Sequence, residues 1–376
     1  MSTRVAIIIP TMNRPDFILR QLRFYELMNS PHPVYLSDSS NEENASKLKD
    51  GLKEIKKFDV IYQWVPPGRD NLYLLLPLVK EKYCIQMGDD DIMIPETISE
   101  CADFLESHPG YSTCSGKQVN IRFQKEDYNK PYGIIERQTQ PLGRSLENDN
   151  MLARIKEFWL DLTLVNSKVS FNNIAFICFV VRSVELEKSI RNITKHFSLT
   201  EHIMEFLLVS ILVISGKFKV LDKLMYVMQV SGNRYLFDYD GTTSNFLVSP
   251  DFYEKWKICE KEFSEFVQKQ GKSEKESLKI VKWIFVLYLT RHFLQESEDW
   301  ASLGLKIDQP QPNLAGKTIQ SRQSLFKKAR SFASRSKLLR RLYYKHHVSI
   351  DVTKPESKYY NDFKLVKDFL EKNANG

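Results

Sequence analysis

The sequence predicts an α/β fold, a mainly parallel sheet flanked by helices, followed by a helical C-terminal extension. Short apolar, often β-branched runs alternate with helix-forming segments through the first 245 residues, and strand signals cease after about Asp251. The runs that end at Pro10, Asp38 and Asp89 give way abruptly to polar or acidic residues. In parallel sheets ligands bind beyond such carboxyl ends.

The chain has 376 residues, 42% of them hydrophobic, enough for a large catalytic domain over 1–245 and an extension over 246–376. The apolar runs, Phe206 to Ile214 and Ile284 to Leu289 among them, fall well short of the roughly 20 residues of a membrane-spanning helix. Val5 to Pro10 is too short for the core of a secretory signal. The expected location is the cytoplasm. Cys84, Cys101, Cys114, Cys178 and Cys259 are widely spaced and form no Cys-x-x-Cys pair, which argues for buried thiols rather than a disulfide framework or a zinc site.

Val5 to Pro10 reads as a strand buried on both faces and closed by proline, and Thr11 to Arg14 as a polar turn. Pro15 suits the first position of a helix whose apolar residues are Phe17, Leu19, Leu22, Phe24 and Leu27. Val34 to Leu36 forms a second strand ending in Ser37-Asp38-Ser39-Ser40. A charged helix around Ala45 to Lys57 precedes a third strand, Val60 to Trp64. A helix over Leu72 to Glu81 precedes a fourth, from Tyr83, which delivers Gly88-Asp89-Asp90-Asp91.

Three adjacent carboxylates repel one another unless a cation, hydrogen bonds or water screens them. If the strand continues through the triplet, Asp89 and Asp91 share one side and Asp90 takes the other. Two carboxylates on one side can hold a hard divalent cation, which keeps open positions for phosphate oxygens such as those of a sugar nucleotide. A solvated acidic turn before the helix start at Pro95-Glu96 accounts for the same residues.

Ile7-Ile8-Ile9-Pro10-Thr11-Met12-Asn13-Arg14-Pro15, Leu36-Ser37-Asp38-Ser39-Ser40 and Gly88-Asp89-Asp90-Asp91-Ile92-Met93-Ile94-Pro95 occur in that order. Together they resemble the opening strand and loop, the second acidic strand end and the Asp-x-Asp region of family 2 glycosyltransferases with the GT-A, Rossmann-like fold. The resemblance covers about residues 4 to 235. It implies nucleoside contacts for Pro10, Thr11, Asn13, Arg14 and Asp38, although Ser37 stands where the family usually has a second aspartate. It implies that Asp89 and Asp91 bind the ribose and an Mn2+ or Mg2+ ion, with Asp90 the alternative ligand if the alignment slips by one. Arg69 and Asn71 fall where the family often places a basic or amide residue near the nucleotide, and Asn233 and Arg234 lie in a loop that closes over the donor in related enzymes.

Asn172 to Arg182 reads as another buried strand, and Lys217 to Met228 as the closing strands. Phe197 to Phe206 resembles the family's loop-to-helix region, where an acidic pair precedes an apolar helix. His202 stands where the family has aspartate, so Glu201 and His202 are both candidates for the base that takes the acceptor hydroxyl's proton. Thr200 capping the helix, with Glu201 complementing its dipole, is the structural alternative.

Trp256 to Lys269 and Ser277 to Phe293 are amphipathic helices of the extension. Between Arg322 and Lys345 nine lysines and arginines, with no acid, interleave with an apolar stripe. That pattern suits an anionic membrane surface, or equally the protein's own apolar surface, and no nucleic-acid reading motif accompanies it.

The expected function is metal-dependent, inverting transfer of a sugar from a nucleotide-sugar donor to a glycan or lipid-linked acceptor hydroxyl, in surface polysaccharide or glycolipid synthesis. A nucleotidyltransferase is disfavoured because Thr11 to Asp16 holds no glycine or lysine to grip a triphosphate. A catalytically inactive sugar-nucleotide-binding or membrane-scaffold protein is the remaining alternative.

Overall fold

A computed structural model describes residues 3–66, 72–160, 162–165, 168–171, 180–194, 202–230, 247, 250, 252–302 and 349–374. Its first half runs β1 (Val5–Thr11), α1 (Pro15–Leu27), β2 (Val34–Asp38), α2 (Glu42–Leu52), β3 (Val60–Trp64), a single turn α3 (Leu72–Leu75), β4 (Tyr83–Gln86), β5 (Ile92–Met93), α4 (Pro95–Ser107), β6 (Tyr111–Phe123) and β7 (Ile135–Gln138). It continues with α5 (Met151–Trp159), a hairpin of β8 (Leu162–Val165) and β9 (Lys168–Phe171), β10 (Val181–Ser183), α6 (Val184–Thr194), α7 (His202–Ser215) and β11 (Lys217–Gln229). The helices α8 (Phe252–Gln268), α9 (Glu274–Ser302) and α10 (Tyr360–Lys372) close the chain.

The main sheet has the order β3-β2-β1-β4-β10-β6-β11-β5, with β7 beside β6. The first four strands and the β6–β11 pair are parallel, while β10, β5 and β7 pair antiparallel to their neighbours. Central β1 explains its own composition. Val5, Ala6, Ile7, Ile8 and Ile9 are all buried because helices cover both faces of a parallel sheet.

Local signals set the element ends. Pro15 occupies the first turn of α1, where a missing N–H costs nothing, and Asn29, with φ of 49°, adopts the left-handed conformation just past its end. Asn41 caps α2 by accepting from the Asn44 N–H at 3.0 Å. Ser273 and Glu276 form a reciprocal capping box at the start of α9. Gly116 permits the close β6–β11 approach, since a Cβ there would lie 2.5 Å from the Met225 Cβ.

Two large apolar clusters result. One joins β1, β2, α1, α4 and β11; the other joins α5, α6, α7, α8 and α9. Residues 349–374, assigned from the sequence to the extension, pack into the first cluster. Phe363, Val366 and Leu370 are buried there, and Phe369 meets Phe24 at 5.2 Å between ring centroids. The backbone N–H of Ile135 donates to Glu371 Oε1 at 3.0 Å. Helical periodicity reveals an apolar face but not which core receives it.

Several segments differ from expectation. The helix expected over Leu72 to Glu81 is a single α-turn followed by a 3-10 turn, Leu76–Leu78, which contains Pro77. The closing strands form one long strand, β11. Of the strand expected over 172–182, Val181 and Arg182 lie in β10 and 172–179 fall outside the described residues. Cys84, Cys101, Cys114 and Cys259 are free and buried. Among the described residues no helix is long and apolar enough to cross a membrane.

Candidate donor-binding site

The carboxyl ends of β1, β2 and β4 meet at one edge of the sheet. In-register pairing sets Thr11 of β1 beside Asp38 of β2, and Asp38 beside Trp64 of β3. The β1–α1 and β2–α2 loops are stitched together: Asn13 N donates to Ser40 Oγ at 2.7 Å, and Asn41 N donates to Asn13 Oδ1 at 2.9 Å. Asn13 holds φ of 57°, a left-handed conformation that asparagine tolerates better than most residues. Asp38 is fully buried, accepting from Ser40 N at 2.8 Å and from the Tyr62 hydroxyl at 2.7 Å. Pro10 is half-buried between the buried Ile9 and Thr11.

The acidic triplet does not continue the strand. β4 stops at Gln86, and Asp89 and Asp90 occupy a turn before β5. The expectation that extended backbone would place Asp89 and Asp91 on one side therefore fails, and the carboxylates of those two residues meet different partners. Asp89 accepts from Thr11 Oγ1 at 2.9 Å and from Arg14 Nη1 at 2.7 Å. Asp90 receives both Arg14 terminal nitrogens, at 3.3 and 3.2 Å. Asp91 turns inward, accepting from the Tyr226 hydroxyl and from Gln229 N at 3.0 Å.

Exposure separates the three. Asp90 and Arg14 are partly exposed, their side chains at 17% and 25%, whereas Asp89 and Asp91 are both buried. Burial raises the Asp89 carboxyl to about 6, against the pull of Arg14. Burial also raises Asp91 well above its ordinary range, and the adjacent Asp90 charge adds to this. The turn is fastened from below by Gln21, whose Nε2 donates to the carbonyls of Gly88 and Asp91, each at 2.6 Å. Gly88 has no room for a side chain, since a Cβ would lie 2.9 Å from Asp91 Oδ2. Arg20 sits behind the turn, donating to Gln229 Oε1 at 2.6 Å; burial lowers it to about 10, so it stays cationic at neutral pH.

Thr11, Arg14, Asp89 and Asp90 thus converge, with Asp38 alongside. The structural members Gln21, Tyr62, Tyr226 and Gln229 escaped sequence reasoning. Their one signal was a polar residue on an otherwise apolar helix face or strand. Of the remaining candidates, Arg69, Asn71, Glu201, Asn233 and Arg234 lie outside the described residues, as does the basic stretch 322–345. His202 begins α7, whose register therefore starts where the apolar helix was expected.

Among the described residues no three His, Cys, Asp or Glu side chains form a metal-ligand group. A hard cation at a phosphate site needs only one or two carboxylates, the phosphate oxygens and water supplying the rest. Asp89 and Asp90 fit that arrangement; Asp91, committed to Tyr226 and Gln229 inside the core, does not.

No protein-family model matches the sequence, and neither does any curated protein. Solved structures do match. Residues 1–349 of S. aureus TarS, in complex with UDP-GlcNAc, align with a TM-score of 0.50 at 17% identity, over 81% of this chain and 77% of that one. The same protein in complex with UDP gives 0.46 at 16% identity, over 81% and 76%. Mannosyltransferase PcManGT from Pyrobaculum calidifontis, in complex with GDP-Man and Mn2+, gives 0.39 at 12% identity, over 88% and 83%. The chain has the GT-A-type fold that its motifs led one to expect.

Proposed function

We propose that this protein transfers a sugar from a nucleotide-sugar donor to an acceptor hydroxyl, with inversion. The observation that carries the reading is the convergence of Thr11, Arg14, Asp89 and Asp90 at the carboxyl ends of β1 and β4. A GT-A-type fold shared with a UDP-GlcNAc complex supports it.

In this reading the nucleoside lies along Pro10, Thr11, Asn13 and Asp38, and Asp89 faces the ribose. Arg14 grips the diphosphate with a planar fork that matches phosphate oxygens. Asp90, rather than Asp91, joins Asp89 in holding Mn2+ or Mg2+. Bound there, the ion supplies Lewis-acid neutralisation of the charge that grows on the leaving diphosphate. Arg69, Asn71, Asn233 and Arg234 approach the donor from neighbouring loops. Glu201 or His202 takes the acceptor hydroxyl's proton as its oxygen attacks the anomeric carbon. The acceptor is a glycan or lipid-linked sugar of surface polysaccharide or glycolipid synthesis, presented at the inner face of a membrane. The basic stretch Arg322 to Lys345 supplies the peripheral attachment.

A thermal-shift screen against UDP-, GDP-, CMP- and dTDP-sugars, with and without Mn2+ or Mg2+, tests this. A ligand at 100 times its Kd stabilises the native state by about 2.7 kcal/mol. One donor class should raise Tm, and raise it further with the ion. A flat response to every donor under every condition would remove the reading.

A further inference from the structure

Arg14 has two attachments of different kinds. Its backbone is fixed by the stitched loops, with Asn13 bonded to both Ser40 and Asn41. Its guanidinium is held by the Asp89 and Asp90 carboxylates and by the Phe17 ring, 4.1 Å from Cζ to centroid. The group therefore bridges the buried Asp89 and the partly exposed Asp90 carboxylates, where one positive charge offsets part of two negative ones. A divalent ion binding to the same oxygens meets that resident cation first.

Resting on the donor reading above, we infer that Arg14 is an exchangeable internal cation that makes divalent-ion binding conditional on the nucleotide. Without a diphosphate, the guanidinium has Asp89 and Asp90 as its anions and keeps the ion out by charge and by occupancy. A nucleoside diphosphate offers it a second anion of matching geometry. The guanidinium then moves to the phosphates, and Asp89 and Asp90 pass to the ion. The partly exposed guanidinium and its short polar loop suit such a swing, because the Phe17 ring supports the planar group without directional bonds. Asp91 cannot take part, since Tyr226 and Gln229 hold it within the core. The arrangement orders the binding events and prevents the protein from loading a metal ion with no donor to activate.

The test is Mn2+ titration of the full chain, read by the paramagnetic resonance of the free ion, for wild type, Arg14→Gln and Arg14→Lys. Each is measured alone and with saturating UDP or GDP. Without nucleotide, Arg14→Gln should bind Mn2+ about tenfold more tightly than wild type, the effect of removing one cation from a partly screened site. Arg14→Lys, which keeps the charge but loses the fork, should lie between them. The tightening caused by nucleotide should be larger in wild type than in Arg14→Gln. Unchanged or weaker Mn2+ binding by Arg14→Gln, in a protein whose Tm matches wild type, would overturn the exchange. If wild type bound nucleotide normally at the same time, the donor reading would survive that failure. A wild type that bound none of the four nucleotide classes of the donor screen would sink the donor reading and the conditional binding with it.

Discussion

Two charged clusters sit at the end of β4 and behave in opposite ways. Beyond its last residue lies the turn Asp89 to Asp91, rich in carboxylates and open on one side. At Gln86 itself lies a sealed network. Glu187 accepts from Arg182 Nε at 2.5 Å and from Arg191 Nε at 2.7 Å, and Arg191 also donates to Gln86 Oε1. Burial works against the Glu187 charge, yet the two guanidiniums outweigh it and hold the carboxyl down to about 2. At Asp89 burial wins and the carboxyl rises to about 6. The sealed cluster is built for stability, since its acid is more comfortable ionised in the fold than outside it. The open cluster keeps an acid in an unfavourable place, as a binding site often does.

Breaking the sealed cluster should have the largest effect on folding. Glu187→Ala leaves two buried guanidiniums without their carboxylate and should cost about 3–5 kcal/mol, read as a drop in Tm of roughly 10 °C. A loss below about 1 kcal/mol would mean that solvent reaches the network. The contrasting change is Asp90→Asn. It should reduce donor turnover about 100-fold, the order seen when one electrostatic group is removed from a transition state, with Tm within about 2 °C of wild type. Equal damage to Tm and turnover would erase the distinction between the clusters. Tyr226→Phe lies between these cases. It deprives the buried Asp91 carboxyl of a donor and should cost about 1–3 kcal/mol of stability, by denaturant unfolding.

The smallest change has the most telling sign. A carboxyl whose folded value is raised costs stability above that value, and the cost fades as pH falls towards the unfolded value. Asp89→Asn should therefore stabilise the protein at pH 7 by about 1 kcal/mol while weakening donor binding. That gain should shrink as pH is lowered from about 6 to about 4. Glu187 has the reverse sign: its contribution is present above about 4.5 and is lost as pH falls towards about 2. Parallel urea unfolding of wild type and both variants across this range would separate the two trends.

What the sequence disclosed follows the range of the interactions involved. β1, the helix starting at Pro15, and Asp38 at its strand end rest on periodicity and turn chemistry within a few residues, and all were legible. The acidic turn was legible as a feature but not in its geometry. Gly88 and the short β5 bend the chain where continued extension was expected, and the partners that then hold Asp91 come from β11, 135 or more residues away. Arg14 was singled out as a candidate donor contact through its motif. Its pairing with Asp89 and Asp90 needed the β1–β4 register to bring them together. The C-terminal helix Tyr360–Lys372 went unread in the sequence, and nothing local said that this segment would return to the core of α1 and β1.

The most direct measurement of the central claim is release of the nucleoside diphosphate from the donor that stabilises the protein, followed by a coupled assay for wild type, Asp90→Asn and Arg14→Gln. The account predicts slow release by wild type without acceptor, faster release with it, and release near background for Asp90→Asn. Wild-type rates in Asp90→Asn, or no release from any donor that binds, would contradict an active transferase centred on this turn.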